Sequence, residues 1–142
     1  MRLTAQTHIA RPVDQVFDLW ANLERSPEYS AATIERRKLT DGPIGLGTRY
    51  HAVDRFPGRT VEFKVDVTGY ERPRRMAASW SDGMAGGWEA TFIAADGGTE
   101  LAFTTVIEPT GLMRVVAPLM RPWARRQLRR FMVDFATWAV RQ

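Results

Sequence analysis

The sequence predicts an α+β domain in which a curved antiparallel sheet of six to seven strands wraps around a long C-terminal helix. Short alternating runs of apolar and polar residues, separated by tight-turn motifs, fill the middle of the chain and are typical of hairpins. A short helical pattern follows the first strand, and a much longer one ends the chain. The length of 142 residues suits one domain, so we expect residues 1–142 to fold as a single ligand-binding unit.

The first strand and two short helices are expected at the beginning of the chain. Residues 2–10 alternate in polarity, and Pro12 suits the first turn of a helix because its missing N–H would have no partner there. One apolar helix face follows at spacings of three and four, formed by Val13, Val16, Phe17, Trp20 and Leu23. Ser26-Pro27 interrupts this pattern, which places Glu28-Tyr29 in a second short helix or turn.

The remaining strands are predicted from alternation and from the turns between them. They are expected near residues 34–39, 48–55, 61–67, 76–80, 88–95 and 101–107. The clearest alternation is at 61–67, where Val61, Phe63, Val65 and Val67 share one face. Asp41-Gly42-Pro43, Pro57-Gly58 and Asp96-Gly97-Gly98 are strong turn signals. Antiparallel sheets commonly have one buried and one solvated face, which such alternation produces.

The final helix is predicted from apolar residues that recur near helical spacing between Leu112 and Trp138. Pro118 and Pro122 are expected to kink or restart it, since proline removes a helical donor and clashes with the preceding turn. The section from about Pro122 to Arg141 would then run ~30 Å at 1.5 Å per residue. Such a helix is long enough to cross one face of a small sheet.

Composition excludes several classes of function. The chain has no cysteine, which rules out disulfides, thiol catalysis and thiolate metal sites. His8 and His51 are its only histidines and lie in no metal-ligand spacing, so neither a metal nor a cofactor is expected. No apolar run approaches the length of a membrane span, and residues 1–10 lack the apolar core of a signal peptide. We therefore expect a cytoplasmic protein without integral membrane segments.

The basic residues are 18 Arg and 2 Lys, and the formal net charge is +4. Acidic residues are dispersed among the basic ones, so we attribute the arginine content to a compositional bias of the source genome. No nucleic-acid partner is expected. Only Arg125, Arg126, Arg129 and Arg130 cluster. That stripe is open to three interpretations, namely a solvated face, contact with an anionic lipid surface, or one arginine at a ligand carboxylate. Arg130 and Asp134 have the i,i+4 spacing of a simple pair.

Four sequence segments resemble those of a known family. They are the segment 10–17 after the first strand, the segment 22–29 with its Pro27-Glu28 step, the Gly98-Thr99-Glu100-Leu101 opening of the last strand, and the helix start at Gly111-Leu112. With the order of elements, they resemble the helix-grip (SRPBCC) superfamily of START domains and birch-pollen-allergen-like proteins. The polyketide cyclase/dehydrase-like branch is the most similar.

The resemblance implies a cavity between sheet and helix that binds a small hydrophobic molecule, such as a lipid or a polyketide-like compound. It also implies two alternatives, a cyclase or aromatase acting in the same cavity and a protein whose Arg-rich helix contacts an anionic membrane or partner. Because the family shares no catalytic motif, the catalytic residues are unknown and a non-catalytic binding protein is favoured. A monomer or a homodimer is expected.

Large apolar residues on the predicted inner faces are the candidate cavity lining, of which we expect about half to touch the cavity. They are Tyr50, Phe63, Val65, Trp80, Trp88, Phe92, Phe103, Met120, Phe131 and Phe135. Arg49 and His51 share one face of a strand, and if that face is the inner one, His51 is a candidate acid or base. Asp54 and Asp82 adjoin turn signals and are expected to be solvated.

Overall fold

The computed structural model describes residues 1–142 and contains one sheet, two α-helices and a 3₁₀ helix. The strands are β1 (Arg2–Ile9), β2 (Thr33–Lys38), β3 (Arg49–Phe56), β4 (Arg59–Glu71), β5 (Arg75–Ser81), β6 (Gly86–Ala95) and β7 (Gly98–Ile107). The helices are α1 (Val13–Ala21), the 3₁₀ helix (Leu23–Glu28) and α2 (Met113–Ala139). The predicted α+β helix-grip architecture, with two short helices after the first strand, is confirmed.

The sheet has seven antiparallel strands in the order β1-β7-β6-β5-β4-β3-β2. Each strand from β2 to β6 pairs with its successor, whereas β1 pairs with β7, so that Leu3 lies opposite Thr105. The chain must therefore pass from one edge of the sheet to the other between β1 and β2. Helix α1 and the 3₁₀ helix make that connection.

The inner face of the sheet, the face that packs against the helices, is the apolar face predicted from alternation. Val61, Phe63, Val65 and Val67 of β4 are all buried, while the residues between them are exposed or half-buried. Helix α2 covers this face with one side of its C-terminal half, where buried residues recur at spacings of three and four. These residues are Ala124, Leu128, Met132, Phe135 and Ala139.

Trp20 of α1 joins the helices to the sheet. Its ring centroid lies 5.7 Å from that of Trp88 on β6 and 5.2 Å from that of Phe103 on β7. On the opposite side it lies 5.8 Å from Phe131 and 5.1 Å from Phe135, both on α2. Most of these contacts are edge-to-face, the arrangement that aromatic quadrupoles favour.

Arg11 fixes the C-terminal end of α2. Its guanidinium donates hydrogen bonds to the carbonyl oxygens of Ala139, at 2.8 Å, and Gln142, at 2.6 Å. Ala139 is the last residue of α2, where carbonyls lack the donor of a following helical turn and a cation is favoured. Arg11, two residues before α1 begins, thus holds the far end of α2.

Pro118 and Pro122 were expected to kink or restart the final helix. The helix is continuous from Met113 to Ala139 and contains both prolines, so it does not restart at either, and a kink stays a prediction. Both prolines lie in the exposed half of the helix, where water satisfies the carbonyls that they leave without a donor. Neither α-helix is long and apolar enough to cross a membrane.

We expect Phe135→Ala to lower the free energy of unfolding by about 3–5 kcal/mol, because the ring is fully buried and the gap cannot refill. Val133→Ala, two residues away on the exposed side of α2, should change it by less than about 0.5 kcal/mol. Urea denaturation followed by circular dichroism measures both values. Equal effects would mean that α2 does not pack on the sheet as described.

Candidate functional site: a cavity between the sheet and the C-terminal helix

A cavity of about 260 Å³ lies between the inner face of the sheet, the 3₁₀ helix and α2. It opens beside α2 and is enclosed by side chains from both layers of the fold. The lining residues are Trp20, Leu23, Ser26, Tyr29, Ser30, Ala31, Ala32, Thr33, Arg36, Asp54, Val65, Trp80, Trp88, Phe103, Thr105, Ile107, Gln127, Leu128, Arg130, Phe131 and Asp134.

The sheet supplies an aromatic wall to the cavity. Sheet register places Trp80 of β5 opposite Val65 and Trp88 of β6 opposite Thr105, so their side chains share the inner face. The rings of Trp88 and Phe103 are 5.9 Å apart and tilted by 33°, and Phe131 of α2 lies 5.9 Å beyond Phe103. This wall offers flat apolar surface to a ligand.

An ion pair lines the opposite part of the cavity. The Arg36 guanidinium donates to both carboxylate oxygens of Asp54, at 2.6 and 3.2 Å, in a bidentate arrangement. Both side chains are mostly enclosed, with 14% and 17% of their surfaces exposed. The guanidinium also lies over the ring of Phe63, 5.2 Å from its centroid, which adds a cation–π contact.

Further polar groups lie near this pair and at the mouth. The Thr33 hydroxyl donates to Ser30 Oγ at 2.8 Å in a buried hydrogen bond. On α2, Arg130 Nε lies 3.9 Å from Asp134 Oδ2, as the i,i+4 spacing predicts, and both residues line the cavity beside Gln127. Each arginine in the cavity lining is therefore matched by an aspartate, so the lining carries no net formal charge.

Two buried polar atoms have no hydrogen-bond partner, the indole Nε1 of Trp20 and the hydroxyl of Tyr50. Trp20 lines the cavity, whereas Tyr50 lies in the core beside it. A buried donor without an acceptor costs free energy of about 1–3 kcal/mol. An acceptor oxygen placed in the cavity is one way to satisfy the Trp20 donor.

The family of the chain follows from comparison with known proteins. A family model described as "Polyketide cyclase / dehydrase and lipid transport" matches residues 1–139. The chain belongs to this family. No curated protein matches the chain by sequence.

Several solved structures have the same fold. The protein TTHA0849 of Thermus thermophilus is 16% identical, with a TM-score of 0.86 over 99% of this chain and 97% of that one. A START superfamily protein of Mycobacterium smegmatis is 11% identical, with a TM-score of 0.82 over 99% and 97%. The Zhui aromatase/cyclase of a Streptomyces species is 13% identical, with a TM-score of 0.78 over 99% and 94%. At these identities the likeness shows the fold alone.

Within this cyclase/dehydrase fold, five of the ten residues predicted to line the cavity do so. They are Val65, Trp80, Trp88, Phe103 and Phe131. Whether they bind a ligand stays a prediction.

The other five do not line this cavity. Tyr50, Phe92 and Phe135 are fully buried in the core, where Phe92 packs on Phe17 and Trp20. Phe63 lies beneath the Arg36 guanidinium. Met120 lies in the N-terminal half of α2, outside the cavity. Alternation predicts the face of a strand but not which stretch of that face a helix covers, and α1 fills the end near Phe92.

Arg49 and His51 were candidate cavity residues only if the strand face that they share is the inner one, and it is not. Both lie on the outer face of β3, because the inner positions of that strand are Tyr50, Ala52 and Asp54. Arg49 pairs with Asp66 at 2.6 Å. His51 Nδ1 lies 3.3 Å from Lys64 Nζ. Neither side chain reaches the cavity, so His51 is not an acid or base for a molecule inside it.

Sequence reasoning missed the polar part of the site. Asp54 was expected to be solvated, yet it is mostly enclosed and paired. The signal was present, since Asp54 lies two residues after the buried Ala52 and alternation places both on the inner face. Arg36 had no such signal, because β2 has a single apolar residue, Ile34, and therefore no alternation of polarity. No group of three or more His, Cys, Asp or Glu side chains is placed to hold a metal ion.

Two tyrosines in the core bear on the alkaline stability of this family member. Burial raises the pKa of Tyr29 to about 12, opposed by a hydrogen bond from Ser26, and burial, aided by the Glu24 carboxylate, raises the pKa of Tyr50 to about 12. The folded state therefore holds these phenol protons more tightly than the unfolded chain, in which tyrosine titrates near 10. Their contribution to stability is complete below about pH 10 and is lost as the pH rises towards 12.

We expect the free energy of unfolding to fall steeply between about pH 10 and pH 12. Tyr50→Phe should flatten part of this fall, and at pH 7 it should be neutral or stabilising by about 1 kcal/mol, since it removes a hydroxyl without a partner. Urea titrations at pH 7, 10, 11 and 12 measure both effects. An unchanged alkaline slope in Tyr50→Phe would contradict the assignment.

We expect Asp54→Asn to destabilise the protein by about 2 kcal/mol, because it leaves the enclosed Arg36 guanidinium without its counter-charge. Asp66→Asn breaks the more exposed pair with Arg49 on the outer face and should cost no more than about 1 kcal/mol. Thermal unfolding of both variants in the same buffer compares them. If Asp66→Asn is the more damaging change, the ion pair in the cavity is not enclosed as described.

Proposed function

We propose that this chain acts as one ligand-binding domain that holds a small, mostly aromatic, uncharged molecule with a hydroxyl or carbonyl group. The observation that supports it most directly is the cavity itself, which joins an aromatic wall to a polar part without net formal charge. Membership of a cyclase/dehydrase and lipid-transport family is consistent with a hydrophobic ligand.

Charge balance at the ion pair favours a neutral polar group over a carboxylate. Arg36 already has Asp54 as its counter-ion, so an anionic ligand would meet a carboxylate as well as a guanidinium. The guanidinium has five N–H donors, of which the bonds to Asp54 and to the Glu35 carbonyl use three. The remaining donors suit a neutral acceptor oxygen.

Cavity size favours a compact ligand. The volume of about 260 Å³ lies slightly below the usual range of about 300–1,000 Å³ for small-molecule sites. A molecule with fused rings uses such a volume well, because its flat faces match the indoles of Trp80 and Trp88. A long extended acyl chain does not fit it as well.

A cyclase or aromatase activity in the same cavity is the second candidate. The Arg36–Asp54 pair is a polar feature that favours it, because a carboxylate and a guanidinium can orient a reactive carbonyl chain. No histidine lines the cavity, however, and burial raises the pKa of the lining Tyr29 to about 12, so that phenol is a weak acid at neutral pH. We therefore place binding before catalysis.

The experiment that tests binding compares three probes of one ring system, 2-naphthol, naphthalene and 2-naphthoic acid, by thermal shift and isothermal titration. We expect 2-naphthol to bind most tightly, since it alone combines fused rings with a neutral polar group. Preference for the acid would overturn the charge argument, and no binding by any probe would count against the proposed ligand class. Native mass spectrometry of the protein purified from its own source then identifies any bound molecule. A bound product that is one water lighter than its precursor would favour the cyclase.

We expect Thr105→Phe to abolish the 2-naphthol response, because Thr105 is buried on the inner face of β7 and a phenyl ring there fills the cavity. The matched control is Thr104→Phe, which places the same ring on the outer face of the same strand. Circular dichroism confirms that both variants fold. If Thr105→Phe binds 2-naphthol as tightly as the unaltered protein, this cavity is not the binding site.

A further inference from the structure

The N-terminal half of α2 turns an apolar surface away from the fold. We define the exposed strip as Leu112, Val115, Val116, Leu119 and Trp123. The side chains of Leu112, Val115 and Leu119 are 86%, 74% and 81% exposed. At 100° per residue the strip lies on the side of the helix opposite Ala117, Ala124 and Leu128, which face the sheet. Val116 and Trp123, at 37% and 39% exposed, form its less exposed edge.

A cluster of arginines runs from the edge of this strip around one side of the helix, with Arg126 and Arg129 nearest the strip and Arg121 furthest from it. We define the arginine cluster as Arg121, Arg125, Arg126 and Arg129, which together line a shallow groove with Pro118 and Pro122. Residues 109–133 contain these four, Arg114 and Arg130, and no acidic residue. Of the six, only Arg130 has a carboxylate within 4 Å, that of Asp134. The cluster therefore presents positive charge that the protein itself does not neutralise.

The local sequence is unfavourable for a helix that meets only water. Arg121, Arg125 and Arg129 are spaced i,i+4, where like charges repel. Leu112 and Leu119 beside them leave most of their surfaces in water, and Trp123 is 39% exposed. Apolar side chains between arginines are the composition of helices that lie in the interface of an anionic bilayer. There the phosphates neutralise the arginines while the apolar groups enter the acyl boundary.

We propose that the exposed strip and the arginine cluster form a docking surface for an anionic lipid bilayer, on which the N-terminal half of α2 lies parallel to the membrane plane. Charge complementarity selects this occupant over a second copy of the chain, because two such helices would place their arginines against each other. The apolar strip selects it over a soluble polyanion, which offers no acyl region to Leu112 or Leu119.

The surface also lies next to the cavity. Gln127, between Arg126 and Arg129, and Arg130, directly after Arg129, both line the cavity. A docked protein would therefore hold its cavity opening near the lipid. The docking proposal does not rest on the proposed ligand, and the vesicle experiments need no ligand.

The first test is co-sedimentation with vesicles of phosphatidylcholine alone and of phosphatidylcholine with roughly 30% phosphatidylglycerol. Binding is expected only with the anionic vesicles and should weaken at high salt, because the phosphate contacts are screened. Equal binding to both vesicle types, or to neither, overturns the proposal.

Matched variants separate a built surface from simple net charge. Arg125→Gln/Arg126→Gln/Arg129→Gln removes three exposed charges from the cluster, and Arg37→Gln/Arg59→Gln/Arg74→Gln removes three exposed charges elsewhere. Only the first triple should weaken vesicle binding, by roughly tenfold or more. Equal losses in the two triples would mean that net charge alone drives adsorption and would overturn the assignment.

Insertion of the strip is tested by fluorescence. The chain has no cysteine, so Leu119→Cys provides a single site for an environment-sensitive dye, and Ile93→Cys, on an exposed part of β6, is the control. Anionic vesicles should shift the emission to the blue at position 119 and leave it unchanged at position 93. No shift at 119 overturns insertion. If analytical ultracentrifugation instead shows a dimer that Leu119→Ser dissociates, the strip is an interface between copies of the chain.

Discussion

The packing of Trp20 is the interaction on which the rest of the structure depends. Its indole contacts rings from β6, β7 and α2, so one side chain of a nine-residue helix holds the two layers of the fold together. Because α1 and Trp20 fill one end of the inner face, α2 closes over the remainder without filling it. The cavity is the space that this arrangement leaves between Trp80, Trp88 and Phe131.

The polar part of the cavity follows from strand pairing. Antiparallel pairing of β2 with β3 places Arg36 and Asp54 on the inner face within reach of a bidentate contact, and Phe63 of β4 supports the guanidinium from below. A charged group enclosed in this way needs a partner, since desolvation would otherwise disfavour it. The pairing also leaves this part of the cavity without net charge, and the proposal of a neutral ligand rests on that balance.

The two halves of helix α2 have different surroundings, since one packs on the sheet and the other is largely exposed. Its C-terminal half buries a stripe against the sheet and is anchored at its end by Arg11. Its N-terminal half buries little, accommodates two prolines and exposes both leucines and unpaired arginines. The two sections meet at the cavity mouth, beside Gln127 and Arg130. A bound ligand and a lipid surface would thus contact the same helix at adjacent turns.

By itself, the sequence determined the α+β class, the strand positions and the family resemblance, because alternation, turn residues and helical spacing are local properties of the chain. It also determined which residues of β4 face inwards. Only the tertiary structure decided which inner residues reach the cavity, since burial of Phe92 and Phe135 depends on where α1 and α2 lie across the sheet. The same holds for the Arg36–Asp54 pair, whose partners are 18 residues apart and meet only through strand register. Local patterns carry no information on such contacts, because these depend on how distant elements pack.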